Sequence, residues 1–112
     1  MDARARERYR GQAEPVDPRA GHIPGARNLP YSALFNADGT FKDKAGLTDA
    51  FASAGIDLGR PVITTCGSGV TACVLLFAMH LLGKEDGTLY DGSWTEWGAD
   101  PDTPKATGAA RA

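Results

Sequence analysis

Apolar positions are spread unevenly along the chain. The first twenty residues are polar and rich in Arg, Glu and Pro, with no sustained apolar period. Residues 3–10 suit a short helix, and Pro15 and Pro18 stop any longer one. In the stretch Gly21-His22-Ile23-Pro24-Gly25-Ala26-Arg27-Asn28-Leu29-Pro30 the Pro-Gly pair marks a turn, which leaves room for only a short strand over residues 26–29. Asn36-Ala37-Asp38-Gly39 marks another turn. Leu47, Phe51 and Ala54 then recur at helical spacing, with Gly55 placed to end the helix. Val62-Ile63-Thr64-Thr65 follows Pro61 and reads as a fully buried strand of a parallel sheet. Residues 70–82 are apolar almost all round, which predicts a buried helix closed by Gly83. Thr88-Leu89-Tyr90-Asp91 predicts one more short strand, and the Pro-, Thr- and Ala-rich tail from Asp100 is expected to fray. Strands alternating with helices predict an α/β fold, an open parallel sheet with helices on both faces.

Length and composition narrow the function classes. A chain of 112 residues with 42% hydrophobic and 23% charged positions fits one ordinary globular domain, not a disordered or fibrous chain. Twelve Lys and Arg against fourteen Asp and Glu give a formal charge of −2, which offers no global attraction to nucleic acid or to a membrane surface. No apolar run is long enough to span a membrane, and the start lacks the apolar core of a signal peptide. The two cysteines, Cys66 and Cys73, do not make a disulfide framework, so a reducing, cytoplasmic setting is expected.

The chemistry concentrates in Thr65-Cys66-Gly67-Ser68-Gly69-Val70-Thr71-Ala72-Cys73. Cys66 stands at the carboxyl end of a predicted buried strand, where open parallel sheets bind their ligands. Gly67 and Gly69 let backbone N–H groups turn inward into an anion-binding nest, and the following helix adds its positive end. Both effects favour thiolate over thiol, and a thiolate ringed by donors can attack an electrophilic sulfur and hold the persulfide. The plainer alternative is a buried structural thiol on a glycine turn. Cys73, two helical turns further on, is expected to pack within the helix.

The segment from Cys66 to Cys73 resembles the active-site loop of rhodanese-like sulfurtransferases of the 3-mercaptopyruvate type. Three further stretches agree in the family's order: Asp2-Ala3-Arg4 with Arg8-Tyr9, Gly21 to Asn28, and Tyr90-Asp91-Gly92-Ser93-Trp94-Thr95-Glu96-Trp97. The resemblance is to the C-terminal, catalytic half of a two-domain enzyme. It places the domain at residues 1–99, with 100–112 as a tail, and it implies an N-terminal rhodanese-like domain as partner. Family members carry an apolar strand before Asp-Ala-Arg. Met1 stands almost where that strand should end, so the first strand is expected to be missing and the chain to be marginally stable.

The resemblance implies that Cys66 takes sulfur from 3-mercaptopyruvate, releases pyruvate and passes the outer sulfur to thioredoxin, another thiol or cyanide, with no cofactor and no metal. Arg8 and Arg19 would bind the donor's carboxylate and carbonyl, as guanidinium forks suit such groups. Ser68 would hydrogen-bond the donor or support proton transfer to the departing enolate. Gly67, Gly69, Val70 and Thr71 would point backbone donors at the sulfur. His22 is expected to make a structural turn bond, Trp94 and Trp97 to pack in the core, and Asp91 to anchor the loop after its strand. The alternatives are a thiosulfate sulfurtransferase, whose loop would carry cations where Gly67 and Ser68 stand, and a sulfur-relay or protein-binding module without turnover of its own. A related cell-cycle phosphatase would need an arginine closing its loop, and Ala72 and Cys73 supply none.

Overall fold

The β-branched run after Pro61 forms strand β1 (Ile63–Thr64), which pairs in parallel with β2 (Thr88–Leu89), Ile63 opposite Thr88 and Thr64 opposite Leu89. This computed structural model describes residues 1–15, 17–67 and 69–109. On the far side of β1 lie residues 1–3: Thr65 N–H donates to the Met1 carbonyl and Ala3 N–H to the Thr65 carbonyl, both at 2.8 Å. Asp2 is bridged in parallel to both Thr65 and Asn28. Across the sheet the order is therefore residues 27–29, residues 1–3, β1 and β2. Residues 1–3 occupy the centre of the sheet, where backbone groups on both sides satisfy them.

Among the described residues four helices connect these segments: α1 (Arg6–Arg10), α2 (Lys44–Ser53), α3 (Ala72–Leu81) and α4 (Ser93–Trp97). A 3₁₀ turn spans Tyr31–Leu34. Asp43 caps α2 by accepting the Gly46 N–H at 2.9 Å, which satisfies one of the unpaired amides of its first turn. Leu47 and Phe51 of α2 and Leu75 and Met79 of α3 pack with Ala3, Leu29, Leu34 and Val62 to form the core. The fold is α/β.

The opposite face of the sheet is less covered than the sequence predicts. Ile63 is 58% exposed and lines an apolar groove of about 530 Å³ with Met1, Ile23, Leu89 and Trp97. The expectation that residues 62–65 are wholly buried thus holds for Val62, Thr64 and Thr65 but not for Ile63. Nor is α3 buried all round. Just before it Val70 is 71% exposed, and within it Phe77 is 49% exposed and Cys73 is exposed too. Phe77 instead meets Phe41, 5.4 Å between ring centres, and Phe41 meets Phe35 at 4.6 Å.

The tail does not fray up to residue 108. Ala106 and His22 exchange backbone hydrogen bonds at 2.9 and 2.8 Å, Gly108 N–H donates to the Arg10 carbonyl, and the Trp97 indole donates to the Pro104 carbonyl. Beside this dock, Tyr90 donates its hydroxyl to Glu96 at 2.7 Å. Burial first, and then the Glu96 carboxylate, push the Tyr90 phenol up to about 12. The neutral phenol is thus favoured when folded, so the stability it contributes is intact below the usual tyrosine value near pH 10 and is lost as pH rises through 12. Tyr90→Phe is expected to remove that part of the alkaline fall in stability. Melts of both proteins between pH 9 and 12 check it, and identical pH profiles would refute it.

Candidate active site

Cys66 sits one residue past the carboxyl end of the sheet and is 1% exposed. Gly69 bends the chain back with φ +97°, and its N–H donates to Cys66 Sγ at 3.0 Å. No other residue fits there. A Cβ on Gly69 would lie 2.6 Å from the Asp91 carbonyl oxygen, and the positive φ disfavours side chains in any case. The Asp91 main chain thus lies close against Gly69, while Asp91 itself is exposed. Val70 and Thr71 open α3, their carbonyls accepting from Cys73 and Val74, which leaves their amides on the loop side with the positive end of the helix. Ser68 lies outside the described residues.

The loop is held from below by α4. Trp94 N–H donates to the Cys66 carbonyl and Thr95 N–H to the Gly67 carbonyl, each at 2.9 Å. Ser93 accepts the Cys66 N–H at 3.0 Å and donates to the Tyr90 carbonyl at 2.9 Å. It is fully buried and has φ +52°, a conformation that non-glycine residues rarely adopt. Ser93 is thus a supporting residue for the cysteine, a role the sequence reading did not assign. The only sequence signal was its place after Asp91-Gly92 at the end of a strand.

Arg8 comes from α1 and lies against the loop. A Cβ placed on Gly67 would be 3.3 Å from Arg8 Nη2. Glu14 grips this guanidinium with both oxygens, Nε to Oε1 at 3.2 Å and Nη2 to Oε2 at 3.1 Å. Asp17 Oδ2 stands 3.6 Å from the same Nη2. Glu14 also meets Arg4, which is buried on Asp2 at 2.8 Å and lies over the Trp94 ring. Neither acidic residue was singled out from sequence. Their signal was a Pro-broken acidic segment placed just after an arginine-rich one.

Arg19 is placed elsewhere. Its guanidinium donates to the carbonyls of Gly98 and Ala99 at 3.2 and 3.0 Å, and its own carbonyl accepts from the Trp94 indole. It caps the negative end of α4, at the opposite end of that helix from the cysteine loop, so the structure does not bring it to Cys66. Cys73 does not pack inside α3. Its exposed thiol meets the Gly69 carbonyl at 3.5 Å. His22 is structural, with Nδ1 on the Tyr9 carbonyl at 2.8 Å and its ring stacked on Tyr9 at 3.8 Å. Trp94 is buried as expected, and Trp97 is partly buried. Among the described residues no group of three or more His, Cys, Asp or Glu side chains gathers to hold a metal, and no helix is long and apolar enough to cross a membrane.

This arrangement can hold sulfur in anionic form: a buried thiol with an amide on it, a helix start behind it and a guanidinium beside it. Comparison with known proteins agrees. Residues 1–100 match the model of the rhodanese-like domain. The chain is 48% identical over 111 residues to a protein of Pseudomonas aeruginosa named "Probable 3-mercaptopyruvate sulfurtransferase", covering 96% of this chain and 38% of that protein. It is 43% identical over 106 residues to the mitochondrial thiosulfate/3-mercaptopyruvate sulfurtransferase 1 of Arabidopsis thaliana, covering 93% of this chain and 28% of that one. The crystal structure of the Tum1 protein from Saccharomyces cerevisiae superposes with a TM-score of 0.80 at 35% identity, covering 95% of this chain and 38% of that one. The chain thus spans well under half the length of the relatives it matches. With the cysteine loop, its amide donors and its supporting helix all in place, the chain belongs to the family of rhodanese-like domains.

Proposed function

We propose that this domain transfers sulfane sulfur through a persulfide on Cys66, with 3-mercaptopyruvate as donor. The observation that carries the reading is the Gly69 N–H on Cys66 Sγ at 3.0 Å, at a buried thiol with Arg8 against the adjoining peptide. The thiolate attacks the donor's sulfur. The carbon–sulfur bond breaks, its electron pair leaves on the pyruvate enolate, and a proton converts that to pyruvate. The outer sulfur stays on Cys66 as the persulfide anion, stabilised by the loop amides and the start of α3. Arg8 holds the donor's carboxylate, and Ser68 assists the proton transfer. A thiol such as that of a thioredoxin, or cyanide, then removes the outer sulfur.

The names of those two relatives give 3-mercaptopyruvate, alone or with thiosulfate, which supports this choice and keeps thiosulfate as the second reading. The loop favours the former. A cation at position 67, which would suit a thiosulfate dianion, would start 3.3 Å from the Arg8 guanidinium. The share of the relatives' length left unmatched supports an N-terminal rhodanese-like domain as partner, and the two unpaired cysteines suit the reducing cytoplasm. The test is to incubate the chain with each donor and weigh the intact protein. A gain of one sulfur atom from 3-mercaptopyruvate, faster than from thiosulfate, is expected. No gain from either donor would leave only the scaffold reading, and faster loading by thiosulfate would reverse the donor assignment.

A further inference from the structure

Arg8 does not meet an incoming anion alone. Its bidentate bond to Glu14 fixes the plane of the guanidinium, and Asp17, whose N–H donates to Glu14 Oε2 at 2.9 Å, stands 3.6 Å from Nη2. The side chain of Asp17 is only 5% exposed. Its Oδ1 accepts from the Thr95 hydroxyl at 3.1 Å, and Thr95 N–H in turn donates to the Gly67 carbonyl. Its Oδ2 has no hydrogen-bond partner among the described residues, and at 3.6 Å from Arg8 it is too far to make one. A buried carboxylate oxygen held near a guanidinium without a hydrogen bond is an incompletely made ion pair, and such a pair is costly to keep. Three carboxylates, Asp2, Glu14 and Asp17, share two guanidiniums in this cluster. Among the described residues this cluster thus holds one more carboxylate than guanidinium.

We propose that Asp17 is a resident counter-anion of Arg8, which a donor's anionic group must displace, and that its charge sets the preference between donors. The proposal rests on the sulfur-transfer reading for its link to turnover, but not for its anion-binding test. A single negative charge next to the donor's site repels a dianion with twice the energy felt by a monoanion, so its removal raises affinity by the square of the monoanion's factor. Asp17 thus acts as a specificity residue: it admits a monoanionic carboxylate such as 3-mercaptopyruvate and resists a compact dianion such as thiosulfate.

Asp17→Asn removes the charge and retains an oxygen for Thr95. It is expected to lower KM for 3-mercaptopyruvate by about tenfold and for thiosulfate by about a hundredfold, so that the donors are distinguished less well. Thr95→Val, at an exposed position, frees Asp17 to swing aside and is expected to move both values in the same direction by smaller factors. Calorimetry with pyruvate and with sulfate, on the unmodified chain and on both variants, reads the same effect without turnover. Sulfate affinity should rise by more than pyruvate affinity. Equal gains for both anions, no gain, or weaker binding would overturn the proposal. A chain that never gains sulfur but shows the sulfate shift would refute the sulfur-transfer reading and leave Asp17 as the counter-anion.

Discussion

Cys66→Ser is expected to gain no sulfur from 3-mercaptopyruvate or thiosulfate and to show no turnover, while melting within a few degrees of the unmodified chain. Oxygen cannot form the sulfur–sulfur bond that stores the transferred atom. The loop should survive, because a serine oxygen can still accept the Gly69 N–H that now reaches sulfur at 3.0 Å. The bonds that α4 makes to this segment run through the backbone of residues 66 and 67 and do not involve the thiol. Cys73→Ser serves as the control and is expected to load normally. Its thiol is exposed, so the hydroxyl enters water and carries no burial penalty. Sulfur found on the Cys66→Ser protein, or loading lost in Cys73→Ser alone, would overturn the assignment of the nucleophile.

Gly69→Ala is expected to destabilise the protein by about 2–5 kcal/mol and to abolish loading even in the part that stays folded. A residue with a Cβ held at φ +97° loses about 1–2 kcal/mol on conformational grounds. Its new methyl would also sit 2.6 Å from the Asp91 carbonyl oxygen, and overpacking of this kind costs roughly 1–3 kcal/mol more. In a domain of this size 1 kcal/mol moves the melting temperature by about 4–8 °C, so a fall of about 8 °C or more should be seen. Relief of the clash by loop movement would carry the amide off the sulfur. An alanine variant with an unchanged melt and normal loading would show that residue 69 need not take this conformation.

The cysteine loop was legible because its determinants are local: a strand, two glycines and a helix start within eight residues. The central strand was not. Three residues carry no periodic signal, and the place of residues 1–3 is fixed by neighbours near residues 28 and 65. Arg19 misled for a similar reason. Its destination, the end of α4, lies 79 and 80 residues away in sequence, and nothing beside Arg19 encodes it. The helix over 72–81 was found but its buried face was not, since a segment apolar all round cannot say which side meets the sheet. Residues 104–108 look like a loose end by composition and dock through backbone groups, which composition does not record. Glu14 and Asp17 escaped notice because acidic residues in a proline-rich stretch look solvated. Only the fold shows them 4% and 5% exposed around one guanidinium.

The support that α4 gives the cysteine also sets the order in which the protein matures. The hydrogen bond from Cys66 N–H to Ser93 spans 27 residues, and those from Trp94 and Thr95 back to residues 66 and 67 span similar separations. Such contacts are slow to close and form late, after the local turns and helices. During synthesis, strand, loop and α3 leave the ribosome before the segment that shapes them. Until residue 95 has emerged, Cys66 belongs to a glycine-rich stretch without its scaffold. The reactive geometry is thus acquired only after α4 has closed onto the loop.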